Sequence, residues 1–261
     1  MPYVNLDSVR LHYRQHGSGP AVVFLHGFSL DHRQWAPQVP FFAPLYRVIL
    51  PDARGHGLSE ASKTGYSRNH RVQDLSQLVD ILKIEKFHLV GLSMGGATAI
   101  GYALKHQERL KSLTLVSTSA AGYSVGKKFS RLDDLAKSEG VDAALKKWMD
   151  WGLAWYKDDL REIGETLKQM MTEYSGAVWA DPMRGKYPRS DDLQNVHAIN
   201  VPTQILAGEL DRMFVPLAKM LHKQIADSRL TLYENTGHMI NLEAPKRFNA
   251  DLGKFLREVE G

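Results

Sequence analysis

Short apolar runs recur along the first half of the chain, and each ends at a turn. Ala21 to Leu25 is apolar throughout, and Arg47 to Leu50, Phe87 to Val90 and Leu113 to Val116 repeat the pattern. Runs of this length without polar alternation read as strands buried on both faces of a parallel sheet. Val9 to Arg14 alternates instead, which predicts an edge strand near the N-terminus. Between the runs the period changes. Leu75, Leu78, Val79 and Leu82 fall on one face of a helix, and the stretch from Ala97 to Leu104 can form another. Strands that alternate with helices imply βα units, hence an α/β fold with a mostly parallel sheet.

The rhythm breaks between about 121 and 197. No buried-strand pattern occurs there. Ala143 to Met149, the pair Trp151 and Trp155, and Thr166 to Met171 show amphipathic helical spacing rich in Trp and Met. A strand pattern returns at Thr203. These shifts divide the chain into a core of 1–120 and 198–261, with a helical cap, or lid, over 121–197. At the end of the chain Phe248, Leu252, Phe255 and Leu256 mark a helix from Pro245 to Glu260.

A chain of 261 residues suits one large α/β domain with such an insertion. Charge narrows the partners. The net charge is +4, with Lys and Arg scattered among acids and no basic stripe interleaved with aromatics, so nucleic acid is not an expected partner. No apolar run reaches membrane-spanning length and no signal-peptide pattern opens the chain, so no membrane association is expected. Cysteine is absent, which excludes disulfides and thiol catalysis and suits the cytoplasm.

Chemistry concentrates at strand ends. Gly91-Leu92-Ser93-Met94-Gly95 is a G-x-S-x-G sequence between an apolar run and a helix-forming run. Such a turn strains the serine backbone, removes neighbouring side chains, and presents the hydroxyl at the C-terminal edge of a sheet. The following helix N-terminus offers unpaired N–H groups to a developing oxyanion. An acid and a histidine follow in order. Asp211 lies in the loop after Thr203 to Gly208, and His238 follows Leu230 to Tyr233. Glu209 is the alternative acid, but it sits closer to the strand. His26-Gly27-Phe28 follows another strand; the Phe28 N–H is a candidate oxyanion donor beside that of Met94. His26 is expected to brace this loop. Asp52-Ala53-Arg54-Gly55-His56-Gly57-Leu58-Ser59 matches neither a metal-ligand spacing nor a phosphate loop, and reads as a structural loop tethered by Arg54.

Taken together, His26-Gly27-Phe28, the Asp52 to Ser59 loop, the Ser93 turn, Gly208-x-x-Asp211 and Gly237-His238 resemble the α/β-hydrolase superfamily. The resemblance runs in register over the core. It is similar in particular to small bacterial carboxylesterases and 3-oxoadipate enol-lactonases. It implies the α/β-hydrolase fold, an eight-stranded, mostly parallel sheet flanked by helices, with a helical cap. It implies Ser93 as nucleophile, His238 as base and Asp211 as orienting acid, with Phe28 and Met94 as oxyanion donors and no cofactor or metal. An aspartate at the Ser93 position would indicate dehalogenase or epoxide hydrolase chemistry. Perhydrolase-like relatives tend to carry Pro soon after the His-Gly-aromatic segment, where this chain has Ser29 and Leu30.

The expected activity is cleavage of small, mainly apolar carboxylic esters through an acyl-enzyme. Trp151, Trp155 and Met239 are the candidate substrate-binding residues. An enol-lactone carrying a carboxylate is the alternative substrate, and it would require a cation near Ser93. Arg33, Arg131, Arg184, Arg189 and Arg212 are the candidates.

Overall fold

The computed structural model describes residues 2–124, 127–155 and 161–261, the side chains of 127–129, 152–155 and 161–163 excepted. Eight strands form one sheet: β1 (Tyr3–Asn5), β2 (Arg10–His16), β3 (Ala21–Leu25), β4 (Arg47–Pro51), β5 (Phe87–Leu92), β6 (Leu110–Val116), β7 (Thr203–Gly208) and β8 (Ser228–Tyr233). Their spatial order is β1-β2-β4-β3-β5-β6-β7-β8. The contacts β1–β2 and β2–β4 are antiparallel, and all others are parallel. One register line runs Gly91–Leu115–Ile205–Leu230. The C-terminal ends of β5, β7 and β8 therefore lie along one edge.

The alternating segment is not the sheet edge. The three-residue β1 takes that place outside β2, with Val4 its single buried residue. A strand this short carries too few positions to show a period.

Ten helices longer than a single 3₁₀ turn occur among the described residues: α1 (Val39–Phe42), α2 (Arg68–Ile81), α3 (Met94–His106), α4 (Lys127–Glu139), α5 (Val141–Trp155), α6 (Arg161–Glu173), α7 (Ala177–Ala180), α8 (Val215–Gln224), α9 (Ile240–Glu243) and α10 (Pro245–Glu260). The period-2 geometry of the strands sorts their side chains onto two faces. Val23, Leu89, Leu115 and Ile205 pack against Leu75 of α2, Ile100 of α3 and Leu217 of α8. Val22, Phe24, Val90 and Leu206 join Phe248, Leu252 and Phe255 of α10. Helix α2 begins at Arg68, earlier than its apolar stripe suggests, because the Ser67 hydroxyl caps it by accepting from the His70 N–H.

Helices α4 to α7 follow one another between β6 and β7. Trp148, Leu167, Met170, Met171, Tyr174 and Trp179 are buried there and join the α10-side core. Polar contacts fix the segment to the strand-end loops. The Trp148 indole N–H donates to Ser29 Oγ at 2.7 Å, and the Ser175 hydroxyl donates to Gly55 O at 3.1 Å.

Candidate active site

Ser93 sits between β5 and α3 with φ +53° and ψ −112°. That left-handed conformation costs a non-glycine residue about 1–3 kcal/mol, and it persists only where the surroundings enforce it. The enforcement is visible. The Ser93 N–H donates to Val116 O at 3.0 Å. Its carbonyl accepts from the Ala97 N–H at 3.1 Å and from both the N–H and hydroxyl of Ser119, at 3.1 and 3.0 Å. The flanking glycines are required by space. A Cβ on Gly91 would lie 2.5 Å from Gly95 O, and one on Gly95 would run into Leu25 O. Ser93 and Met94 remain partly open to solvent while Leu92 and Gly95 are buried.

Asp211 and His238 meet. The His238 Nδ1–H donates to Asp211 Oδ2 at 2.7 Å, and the Phe214 ring stacks on the imidazole at 5.0 Å. Asp211 is buried, whereas Glu209 is exposed. The two loops are joined through the backbone: the Glu209 N–H donates to Tyr233 O and the Leu210 N–H to Thr236 O, both at 2.9 Å. Glu243, a residue the sequence reading passed over, holds the histidine from the other side. Its carboxylate accepts from the N–H groups of Gly237 at 2.5 Å and Met239 at 2.8 Å. The signal was an acid inside a short apolar helix directly after Gly237-His238.

The Phe28 N–H and the Met94 N–H donate to no acceptor among the described residues. The Phe28 ring is ringed by His56, Trp148, Tyr174 and Trp179, with centroids 5.2 to 5.8 Å away. His26 braces the loop as its position suggests. Its Nδ1–H donates to Gly27 O at 2.8 Å, and its Nε2 accepts from the Ala53 N–H at 2.9 Å. Burial pushes its pKa down. His56 donates Nδ1–H to Arg54 O at 3.0 Å, and burial lowers its pKa to about 3, so the ring is neutral at pH 7. Arg54 forks onto Asp74 at 2.7 and 2.5 Å, tethering its loop to α2.

Asp52 makes a second carboxylate–histidine cluster. His12 and His32 each bring Nδ1 to 2.8 Å of its oxygens. Potential metal-ligand atoms of these three residues lie within 4.8 Å of one another. The carboxylate is already saturated, because the N–H groups of His32 and Leu58 also donate to it, at 2.8 and 3.0 Å. Burial alone would raise the Asp52 pKa, but hydrogen bonds from His12 and His32 outweigh it and hold the group well below the usual carboxylate range. The cluster is a hydrogen-bonded lock between β2, the loop after β3, and β4.

The other candidates divide. Met239 is buried beside His238. Trp151 is half-buried, with Lys147 Nζ 5.7 Å above its ring. The Trp155 side chain lies outside the described residues. None of the candidate cations is placed to meet an anionic substrate alone. Arg33 is spent on Asp31 and Glu173, Arg184 on Asp133, and Arg131, Arg189 and Arg212 are exposed.

A strained serine at a strand-to-helix turn, with an aspartate–histidine pair on the same sheet edge, defines the arrangement found in α/β hydrolases. The chain belongs to that family: residues 20–245 match the model of the alpha/beta hydrolase fold. It is 32% identical to monoacylglycerol lipase ABHD6 of Bos taurus, over 93% of this chain and 77% of the lipase. It is 29% identical to a putative 2-succinyl-6-hydroxy-2,4-cyclohexadiene-1-carboxylate synthase of Bacillus subtilis, over 97% of both chains. The crystal structure of an enol-lactonase from Burkholderia xenovorans superposes with a TM-score of 0.87 at 26% identity, covering 98% of this chain and 100% of the lactonase. These relatives support hydrolase chemistry on a small-molecule substrate.

Proposed function

We propose that the protein is a serine hydrolase of carboxylic ester bonds in small, mainly apolar substrates, with lactones as the second substrate class. The observation that carries this reading is the Ser93 backbone at φ +53°, held by hydrogen bonds from β6 and the loop after it, on the edge where Asp211 orients His238. With Nδ1 committed to Asp211, Nε2 is the nitrogen that takes the Ser93 proton. The alkoxide attacks the substrate carbonyl, and the N–H groups of Phe28 and Met94 hold the oxyanion. His238 returns the proton to the leaving alcohol. Water, deprotonated by the same nitrogen, then releases the acid and regenerates Ser93. The apolar body of the substrate is supported by the rings around Phe28, two of which come from α5 and α7. Ser93→Ala should lower kcat for p-nitrophenyl acetate by about 10⁴-fold or more. Retention of most of the activity would refute the assignment. A panel of neutral short-chain esters and lactones, followed over many turnovers, then ranks the two substrate classes.

A further inference from the structure

Most of the arginines that the fold takes inward meet a carboxylate. Arg54 pairs with Asp74, Arg68 with Asp192, Arg33 with Asp31 and Glu173, and Arg184 with Asp133. Arg71 differs. Its Nε–H donates to Thr98 Oγ1 at 3.0 Å and an Nη1–H to Tyr66 O at 3.1 Å. Nη2 has no acceptor, and the guanidinium no ion-pair partner, among the described residues. Asp74, three residues along the same helix, is already engaged by both arms of Arg54. Desolvation lowers the Arg71 pKa to about 10, with the charges of Arg68 and Arg54 adding to the strain on the cation. A guanidinium withdrawn from water without a counter-charge costs several kcal/mol.

The position of this cation is specific. Thr98, its hydroxyl partner, itself donates to Met94 O at 3.2 Å. Thr98 is five residues beyond Ser93, a rise of about 7.5 Å along the helix. Arg71, Thr98, Met94 and His26 share the wall of an internal cavity of about 40 Å³. That volume holds a few water-sized groups, enough for a carboxylate and too little for a ring. The two acids on the same wall are occupied, Asp52 by its histidines and Asp74 by Arg54. Trp179, from the rings around Phe28, adds a buried indole N–H without an acceptor among the described residues. The region is rich in donors and short of acceptors.

We propose that Arg71 is a specificity residue that binds a carboxylate carried by the substrate at the far end of its acyl chain. The inference rests on the serine hydrolase reading and sharpens its substrate class to ω-carboxy esters or lactones with a short apolar spacer. The spacing from Ser93 suits about three or four methylene groups between the reacting carbonyl and the carboxylate. Sequence reading missed Arg71 although the sign was present: it precedes Leu75, Leu78 and Leu82 by four, seven and eleven residues, a cation on an apolar stripe.

The test compares monomethyl glutarate and monomethyl adipate with the neutral methyl valerate and methyl hexanoate, by pH-stat, in wild type, Arg71→Met and Arg71→Lys. The expected wild-type kcat/KM favours the anionic esters by about tenfold or more. Arg71→Met should lower the ratio of anionic to neutral kcat/KM by about 100-fold, with Arg71→Lys recovering part of it. An equal loss on both ester classes would make Arg71 a structural brace and overturn the proposal while leaving the hydrolase reading intact. Wild-type turnover of neither class would overturn the hydrolase reading itself. Binding is read separately: glutarate, the hydrolysis product, should raise the melting temperature of wild type and not of Arg71→Met. An equal rise in both would also contradict the proposal.

Discussion

Two clusters in this molecule place histidine against aspartate, and they are built for opposite ends. At Asp52, two imidazoles and two backbone N–H groups fill both carboxylate oxygens, and the side chain is 0% exposed. At Asp211 one imidazole is held, and the His238 side chain stays 14% exposed on the sheet edge that carries Ser93. The first cluster joins three stretches of chain, and its bonds are spent on geometry. The second commits one ring nitrogen and leaves a face of the ring accessible. A histidine–carboxylate contact is therefore uninformative by itself; what surrounds it decides whether protons can move.

The comparison is most open to attack through the two aspartates. Asp211→Asn should leave the fold intact and cost about 10⁴-fold in kcat, because the amide no longer fixes the Nδ1–H tautomer of His238. Asp52→Asn should do the reverse. An amide cannot accept all four hydrogen bonds, so stability should fall by about 3 kcal/mol in urea titration. Turnover per folded molecule should change by less than about threefold, a figure typical of sites away from the chemistry. Equal kinetic losses in the two variants would erase the distinction.

Acid should find the buried neutral rings next. Free histidine titrates near 6.5, and His56 in the fold is lowered to about 3 by burial. Below pH 6.5 the unfolded chain binds a proton that the folded ring refuses, so stability falls as pH drops, and is flat with respect to this group above 6.5. His26 shifts in the same direction. Asp52 adds its own loss only below the ordinary carboxylate range, since its folded pKa is depressed. Thermal unfolding between pH 7 and 4.5 should thus decline more steeply in wild type than in His56→Gln. Parallel curves would show that His56 is not held neutral.

Much of the Asp211 cluster was legible in the chain, and little of the Asp52 cluster was. Ser93, Asp211 and His238 each follow a recognisable strand, and glycines mark the turns, because the strained backbone leaves local traces. His12 and His32 stand 40 and 20 residues from Asp52 and reach it only through sheet pairing and a 3₁₀ turn. No local pattern encodes that meeting. The helical segment lies between these extremes. Its Trp and Met spacing marked helices α5 and α6, while α4, a mostly polar helix, carried no apolar cluster to announce it. Which of its rings face Phe28 depended on how α5 and α7 dock, a tertiary matter. Arg71 was visible on its stripe but acquires meaning only when the other arginines prove to be paired.

The smallest expected effect concerns Glu243. Glu243→Gln should weaken its grip on the N–H groups of Gly237 and Met239 and lower kcat by about tenfold with little change in KM, since charged acceptors bind backbone N–H groups about twice as strongly as neutral ones. A change in KM alone would place Glu243 in substrate binding rather than in holding His238.

The central claim is that an acyl group passes through Ser93. Rapid acid quench of the enzyme with an activated ester, followed by peptide mass mapping, measures this directly. The account predicts a transient acyl mass increment on the peptide containing Ser93, accumulating before steady state, absent in Ser93→Ala and prolonged in Asp211→Asn. Multiple turnovers with no increment on that peptide, or an increment that survives Ser93→Ala, would contradict it.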